Sequence, residues 1–561
     1  MLTLAQTTGA WRATTPRAGT WAAAALLCAL LAVVHTWPLA TSPARLSRND
    51  NNDAQLNEWI MAWVAHQLPR APAHLFDANI FYPARHTLAF SEPLIVPALI
   101  SAPVAWAGGS PVLVMNLMVM AGFALTAFAG FALVYLWTGD ITAGLLTGGA
   151  FAFNTHTLTR LAHVQALHLY GLPLALLATD RLFTTARMRD ALWLAVWMAI
   201  LAYTSGYLFV FAAIMVTTAC LVRAREWLPR TRNVLPMFAL AAAVAAVAIV
   251  PLWVPYHRAA VEYGMSRSLE NVAEYSATMK GYLAAAGTIH ASTWSRSFFR
   301  DPVDSFFPGF VVIALTFVAL WCTWSPAAFP KLESAVLARR RVAMLLAIAL
   351  VGMILSLGTR TPVYGWLYAV FPPMHGLRAA ARFGNLFLFG MSVLAGIGLA
   401  ALRARYPGRG PLIVAIALIA LANVEALRAP IQYRRFDGVP GIYKLLASEP
   451  VVVLAEVPFY PREAVFENGE YVLNSTAHWR PLMNGYSGYT PATYSAYAAI
   501  FWYFPREHAI QAMRQAGVTH VMVHPERFGH EADEVVAALA GRPEFELMAV
   551  GSRGIRLYRL H

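Results

Sequence analysis

WAAAALLCALLAVVH (Trp21–His35), followed shortly by NDNNDAQLNEWIMAW (Asn49–Trp63), sets an apolar span against a polar segment that holds three carboxylates, Asp50, Asp53 and Glu58. The apolar run, read from 20 to 39, has the length of a membrane helix, which needs roughly 20 such residues to cross the hydrocarbon core. It has no convincing small-x-small cleavage site and is expected to be a retained anchor rather than a signal peptide. Acids are scarce here, 29 Asp plus Glu against 42 Lys plus Arg. A group of them just beyond a span therefore points to chemistry at the outer membrane surface. Hydrophobic residues make up 58% and charged residues 13% of the 561. A soluble chain of that length could not cover its surface from so polar-poor a composition. The expected class is a polytopic α-helical membrane protein.

Further apolar runs lie at 111–137, 141–153, 165–179, 191–203, 207–221, 234–255, 306–324, 342–357, 384–401 and 411–427, about eleven spans in all with the first. Alternate loops collect the cations: Arg12 and Arg17; Arg181, Arg187 and Arg189; Arg223, Arg225, Arg230 and Arg232; Lys331, Arg339, Arg340 and Arg341; Arg403, Arg405 and Arg409. By the positive-inside tendency these face the cytoplasm together with the N-terminus. That also explains the net charge of +13 without nucleic acid, for which no partner role is expected. The outside then holds 41–109, 154–164, 256–305, 358–383 and everything after 427. Residues 92–107 must not span; they are read as a juxtamembrane helix. Two domains follow: a membrane domain over 1–428, with its first outer loop at 40–110, and an extracytoplasmic α/β domain over 429–561. In the latter, 451–457 and 518–523 read as strands and 508–516 and 531–539 as helices. Cys28, Cys220 and Cys322 sit in apolar runs and write no disulfide framework.

In the first loop, Leu56, Trp59, Ile60, Trp63, Val64 and Leu68 recur at helical spacing, so an amphipathic helix lying in the membrane interface is expected. Asn52 with Gln55 reads as a capping box and places Asp53 in the first turn. Two readings of Asp53 stay open: a carboxylate favoured by the helix dipole, or a general base that takes a proton from an acceptor hydroxyl. Asp77 and Glu92 follow in the same loop, Glu92 as base or acceptor ligand, or as a charge at a helix start.

The segments Asp53–Trp63, Leu75–Pro83 (LFDANIFYP), the Glu92-Pro93-Leu94 entry to a juxtamembrane helix and Gly376–Gly384 (GLRAAARFG) are similar to those of the GT-C superfamily of membrane glycosyltransferases. More narrowly, they resemble bacterial proteins related to family 39 and to aminoarabinose transferases. The resemblance covers most of the chain. It implies a polyprenyl-phosphate-linked sugar as donor, an inverting transfer to an extracytoplasmic glycan, lipid or protein acceptor, a bacterial inner-membrane location, and Asp53 as the base, with Asp50 and Glu92 as the neighbouring acids. Such relatives usually carry an acid in the second outer loop. This chain has RLAHVQ (Arg160–Gln165) there, which argues against a metal site. No cofactor is assigned, and a divalent cation stays open.

Arg360, His375, Arg378 and Arg382 share one outer loop against the positive-inside tendency. Guanidiniums there suit a phosphate, which they bind bidentately, or else pair with lipid headgroups or local acids. Arg378 and Arg382, at i and i+4, share a face if helical. Arg160, His163 and Gln165 read as polar lining of a cavity. In the tail, His478, Trp479, Asn484 and Tyr486 read as acceptor contacts or as a surface docked on the membrane or bundle. Two other functions would use the same features: a lipid-linked glycan flippase, and a catalytically silent scaffold whose outer domain binds a partner.

Overall fold

The computed structural model describes residues 18–298, 304–324 and 332–561; Arg12, Arg17 and Lys331 of the loop cations lie outside them. Every apolar run condenses into a helix, because in a segment without polar side chains the backbone satisfies its own hydrogen bonds only this way. The helices are Ala18–His35, Pro111–Thr138, Ile141–Ala152, Gly171–Thr185, Met188–Thr204, Gly206–Val222, Thr231–Tyr263, Phe310–Trp324, Leu332–Ser356, Gly384–Arg405 and Arg409–Ala426. Among the described residues, five stretches are long and apolar enough to cross a membrane: Ala18–His35, Pro111–Thr138, Ala224–Tyr263, Ala380–Arg405 and Arg409–Ala426. Ile141–Ala152, Gly206–Val222 and Phe310–Thr323 are apolar but shorter, as is Ile95–Trp106, the segment read as juxtamembrane.

The chain forms two compact units. The first joins Met1–Thr41, Met118–Val250 and Ser266–Gln432; the second joins Ser42–Leu117, Pro251–Met265 and Tyr433–His561. In this interleaved division the first loop falls in the same compact unit as the tail.

In the first unit, helix Gly384–Arg405 is buried along most of its length and packs against Phe310–Trp324, Leu332–Ser356 and Ile141–Ala152. Glycines make that possible: a Cβ at Gly396 would run into Thr147 Oγ1, and one at Gly398 into the Leu315 carbonyl. Small residues of this kind let membrane helices approach backbone to backbone. The break at Thr204 is capped, since the Ser205 hydroxyl accepts from Tyr207 N at 3.2 Å and starts the next helix. At the loop ends, Asp180 is gripped by Arg223 and by Arg341, the latter at 2.7 Å. Arg223 also holds Glu226 at 2.7 Å, and Arg340 reaches Glu226 at 3.4 Å. Three of the cation-bearing loops therefore meet at one end of the helices.

In the second unit, β3 (Leu454–Val457), β4 (His520–Val523), β5 (Phe545–Val550) and β6 (Arg556–Leu560) form a sheet of order β3-β4-β6-β5, with β3/β4 parallel and the other pairs antiparallel. A small antiparallel pair, β1 (Leu46–Ser47) with β2 (Arg434–Arg435), ties the first loop to the tail. Helix Asn52–Gln67 packs against Gly469–Asn474, which belongs to the crossover between β3 and β4, and against Ile95–Trp106.

That packing corrects the reading of Asn52–Gln67 as an interfacial amphipathic helix. Gln55, Asn57 and Glu58 are buried along with Leu56, Trp59, Ile60, Trp63 and Val64. The partner helices remove the polar face from water as well as the apolar one. The helices come close at Gly469, where a Cβ would stand 2.5 Å from Gln55 Oε1 and 3.2 Å from Asn52 Cβ. Gly469→Val is expected to lower stability by about 1–3 kcal/mol, the usual cost of overpacking, read as a lower unfolding midpoint in detergent with Gly469→Ala between the two.

Candidate functional site

Helix Asn52–Gln67 begins one residue earlier than the capping-box reading supposed. Asn51 is the N-cap, its side chain accepting from Asp53 N at 2.9 Å, and Gln55 is turned instead towards Gly469. Asp53 still falls in the first turn, where a carboxylate is favoured by the dipole. A second group holds it: the Tyr486 hydroxyl donates to Asp53 Oδ1 at 2.6 Å. Tyr489, nearby in sequence, donates to the Tyr263 carbonyl at 2.7 Å and anchors the same loop.

The other acids of the loop have local partners. Asp50 is paired with Arg48 at 3.0 Å near the surface. Asp77 accepts from His86 N at 3.1 Å and lies 3.2 Å from His74 Nδ1, knotting the loop around it. Glu92 lies three residues ahead of helix Ile95–Trp106, whose N-cap is Leu94 in the left-handed region at φ 48°. Among the described residues, no three His, Cys, Asp or Glu side chains gather as a metal site would require.

Of the tail residues, Asn484 is wholly buried and braces β3: it accepts from Glu456 N at 2.8 Å and donates to Glu456 O at 3.0 Å. His478 is 5% exposed. Burial, helped by Arg480, pushes its pKa down to about 3, and its Nδ1 accepts from Arg480 N at 2.9 Å. Trp479, at φ 57°, stacks on His66 with ring centroids 4.4 Å apart. These placements make His478 and Asn484 interior residues of the unit, while Tyr486 joins Asp53.

In the first unit, Tyr207 organises the cationic loop. Its hydroxyl accepts from Arg378 N and Ala379 N at 3.0 and 2.9 Å, and the Arg382 guanidinium lies over its ring at 4.6 Å. Arg378 lies over Tyr275 at 5.0 Å. Among the described residues no carboxylate forms an ion pair with Arg378 or Arg382. The segment is a short 3-10 turn, Ala380–Phe383, rather than one helix face. Arg360 donates to the Ser276 and Ala277 carbonyls at 2.9 and 3.1 Å, and His375 Nε2 lies 3.0 Å from the Tyr368 carbonyl. Arg160 and Gln165 are buried and His163 half-buried, in the irregular segment before Gly171–Thr185. Sequence reading passed over Tyr207 and Tyr275; the one signal was Tyr207's place just after the Thr204-Ser205-Gly206 break.

No family model and no curated protein sequence matches the chain. Among solved structures, it superposes on the arabinofuranosyltransferase AftD from Mycobacteria with a TM-score of 0.60 and 16% identity, over 96% of this chain and 40% of AftD. The chain shares its fold with this arabinofuranosyltransferase. The chain thus spans about two-fifths of AftD's length. Looser likenesses are to the archaeal oligosaccharyltransferase AglB of Archaeoglobus fulgidus (TM-score 0.47, 14% identity, 96% of this chain and 74% of AglB) and to ArnT of Cupriavidus metallidurans bound to undecaprenyl phosphate (0.42, 14%, 97% and 98%).

One acid on the same helix as Asp53 was not singled out as a site residue. Glu58 is 1% exposed, and Asn49, with its amide turned to satisfy both groups, donates to its two carboxylate oxygens at 2.9 and 3.1 Å. Burial pushes its pKa up to about 8, against the pull of Asn49. Below about pH 4.5 the carboxyl is protonated in folded and unfolded chains alike. As pH rises towards 8 only the unfolded chain releases the proton, so stability falls across that window. Glu58→Gln is expected to flatten this slope, with a gain on the order of a few kcal/mol at pH 8 and little at pH 4.5. Unfolding midpoints of both proteins at the two pH values check it; parallel pH dependences would refute it.

Proposed function

We propose that this chain is a GT-C-type glycosyltransferase of the bacterial inner membrane that moves a sugar from a polyprenyl-phosphate donor to an extracytoplasmic acceptor, with inversion. The observation that carries this reading is the grip on Asp53: a carboxylate in the first turn of a buried helix, aimed by a tyrosine hydroxyl at 2.6 Å from 433 residues away. A helix-dipole role alone has no need of that second hold. Asp53 acts as general base, taking the proton of the acceptor hydroxyl as its oxygen attacks the anomeric carbon. Arg378 and Arg382 stabilise the departing polyprenyl phosphate, whose charge grows as the glycosidic bond breaks. Arg360 and His375 shape the loop that presents them, and Glu92 serves the acceptor. The N-terminus is cytoplasmic, and Asp53 and the tail lie outside.

The test is a density map of the protein with undecaprenyl phosphate, together with binding to Arg378→Ala and Arg382→Ala. Phosphate density against these two guanidiniums, and affinity weakened about tenfold or more in each variant, is expected, since a charged hydrogen bond contributes about 1.5–3 kcal/mol. Phosphate density elsewhere, with unchanged affinity, would remove the assignment. Metal dependence is read separately, from transfer before and after chelation.

A further inference from the structure

The first unit holds a cleft that the transfer reading leaves unused. It lies between the end of helix Arg409–Ala426 and the start of Phe310–Trp324, with Phe153, Phe307, Val312 and Ala422 among its walls. Its enclosed part measures about 20 Å³, against the roughly 10–15 Å³ that one water needs. Beyond that part the cleft opens to solvent, so it admits a group of about a hydroxyl's size while the rest of a ligand stays at its mouth.

Two polar groups aim into it. Glu425 is 8% exposed and accepts from Phe310 N and Val311 N, each at 3.2 Å. These are amides of a helix start that have no partner within their own helix, so they hold the carboxylate in place. Gly309, at φ 98°, leaves it room: a Cβ there would stand 3.0 Å from Glu425 Oε2.

His290 is 5% exposed, and its Nδ1 accepts from Trp294 Nε1 at 3.1 Å. An indole N–H only donates, so Nδ1 must present a lone pair. The ring is therefore neutral, with its proton on Nε2. Burial lowers the pKa of His290 in the same sense, against the pull of Glu425. Among the described residues Nε2 has no hydrogen-bond partner, and it stands 3.8 Å from Glu425 Oε1. That is beyond hydrogen-bond length. A fixed donor and a fixed acceptor face each other across a gap.

One hydroxyl group bridges such a gap, accepting from Nε2–H and donating to the carboxylate. A water would find no further side-chain partner there, because the other polar side chains of the wall are already engaged. Asn154 accepts from Thr157 N at 3.0 Å and donates to Phe151 O at 2.6 Å, and Thr155 bonds Ser305 at 2.6 Å. A hydroxyl carried on carbon leaves no such deficit, and its carbons meet Phe153 and Phe307, the mixture of apolar wall and few polar groups that small-molecule sites show.

We propose that His290 and Glu425 form a saccharide subsite that holds one sugar hydroxyl in the first unit. The identity of the ligand as a sugar rests on the transferase reading; the donor–acceptor pair does not. The test titrates the full chain in nanodiscs with the methyl glycosides of glucose, mannose and arabinofuranose, read by saturation-transfer NMR, beside their per-O-methylated forms. At least one free glycoside is expected to bind saturably and its permethylated form not to. His290→Phe removes the donor, and Ala422→Phe fills the cleft without touching either polar group. Each is expected to weaken binding tenfold or more. Ala422→Phe should leave undecaprenyl phosphate binding unchanged, which shows that the variant is folded. The proposal is overturned if no glycoside binds saturably, if the permethylated forms bind equally well, if Ala422→Phe binds as the parent does, or if a map at saturating glycoside shows only water-sized density at His290. If instead Asp53→Asn keeps full transfer while glycoside binding still depends on His290, the transferase reading fails and the subsite stands.

Discussion

Asparagine at position 53 is expected to reduce sugar transfer by about 10²–10⁴-fold, the usual contribution of a positioned general base, with little change in the unfolding midpoint. The substitution is nearly isosteric. Its Oδ1 still accepts from the Tyr486 hydroxyl, which now stands 2.6 Å from the carboxylate, and the Asn51 cap, which bonds the backbone N–H of residue 53, is untouched. Only the capacity to take a proton is lost. The deficit should therefore fall on kcat, with donor KM nearly unchanged. Tyr486→Phe is the companion variant: it leaves the base in place and removes its hold. A loss of about tenfold in kcat, one hydrogen bond's worth of positioning, would mark Tyr486 as a positioning residue. Transfer assays with a polyprenyl-phosphate-linked sugar check both. Full activity in purified Asp53→Asn protein would end the assignment.

The second large effect concerns stability. Asp180→Ala is expected to destabilise the first unit by about 3–5 kcal/mol, the cost of breaking a buried ion pair from one side. Asp180 is 2% exposed and Arg223 equally so, with Arg341 as a second partner at 2.7 Å. Removing the carboxylate leaves two guanidiniums, which cannot shed their protons, each one partner short. Arg223 keeps Glu226, and Arg341 keeps its place over the Trp137 ring at 4.5 Å, so the end of the bundle is expected to loosen rather than to unfold. Asp180→Asn, which still accepts one hydrogen bond, should lose less. Unfolding midpoints in detergent across the two variants check the order; equal midpoints for parent and Asp180→Ala would show that the pair contributes nothing.

The comparison of Asp53 with Glu58 shows where sequence reading stops. Both lie on one helix, and the period of Leu56, Trp59, Ile60 and Trp63 located it. Capping chemistry placed Asp53 in the first turn even though the cap proved to be Asn51. Nothing local distinguishes Glu58 from a solvated glutamate. Its burial comes from packing around the helix by segments distant in sequence. The cationic loop was legible for the same kind of reason as Asp53, since charge against the positive-inside tendency is visible in a window. Arg360 and Arg382 look alike in that window, yet one is spent on backbone carbonyls and the other lies over a tyrosine ring.

Sequence by itself determined the membrane class, the places of the helices, the α/β character of the tail and the candidacy of Asp53, because hydropathy, period and capping are properties of neighbouring residues. Tertiary structure alone decided that the first loop folds with the tail, that Tyr486 holds Asp53, that Asp180 answers Arg223 and Arg341, and that His290 faces Glu425. Each of these is a pairing of polar groups distant along the chain. Burial makes such pairings obligatory, but which partners meet is set by the packing of whole elements, and no short segment encodes that.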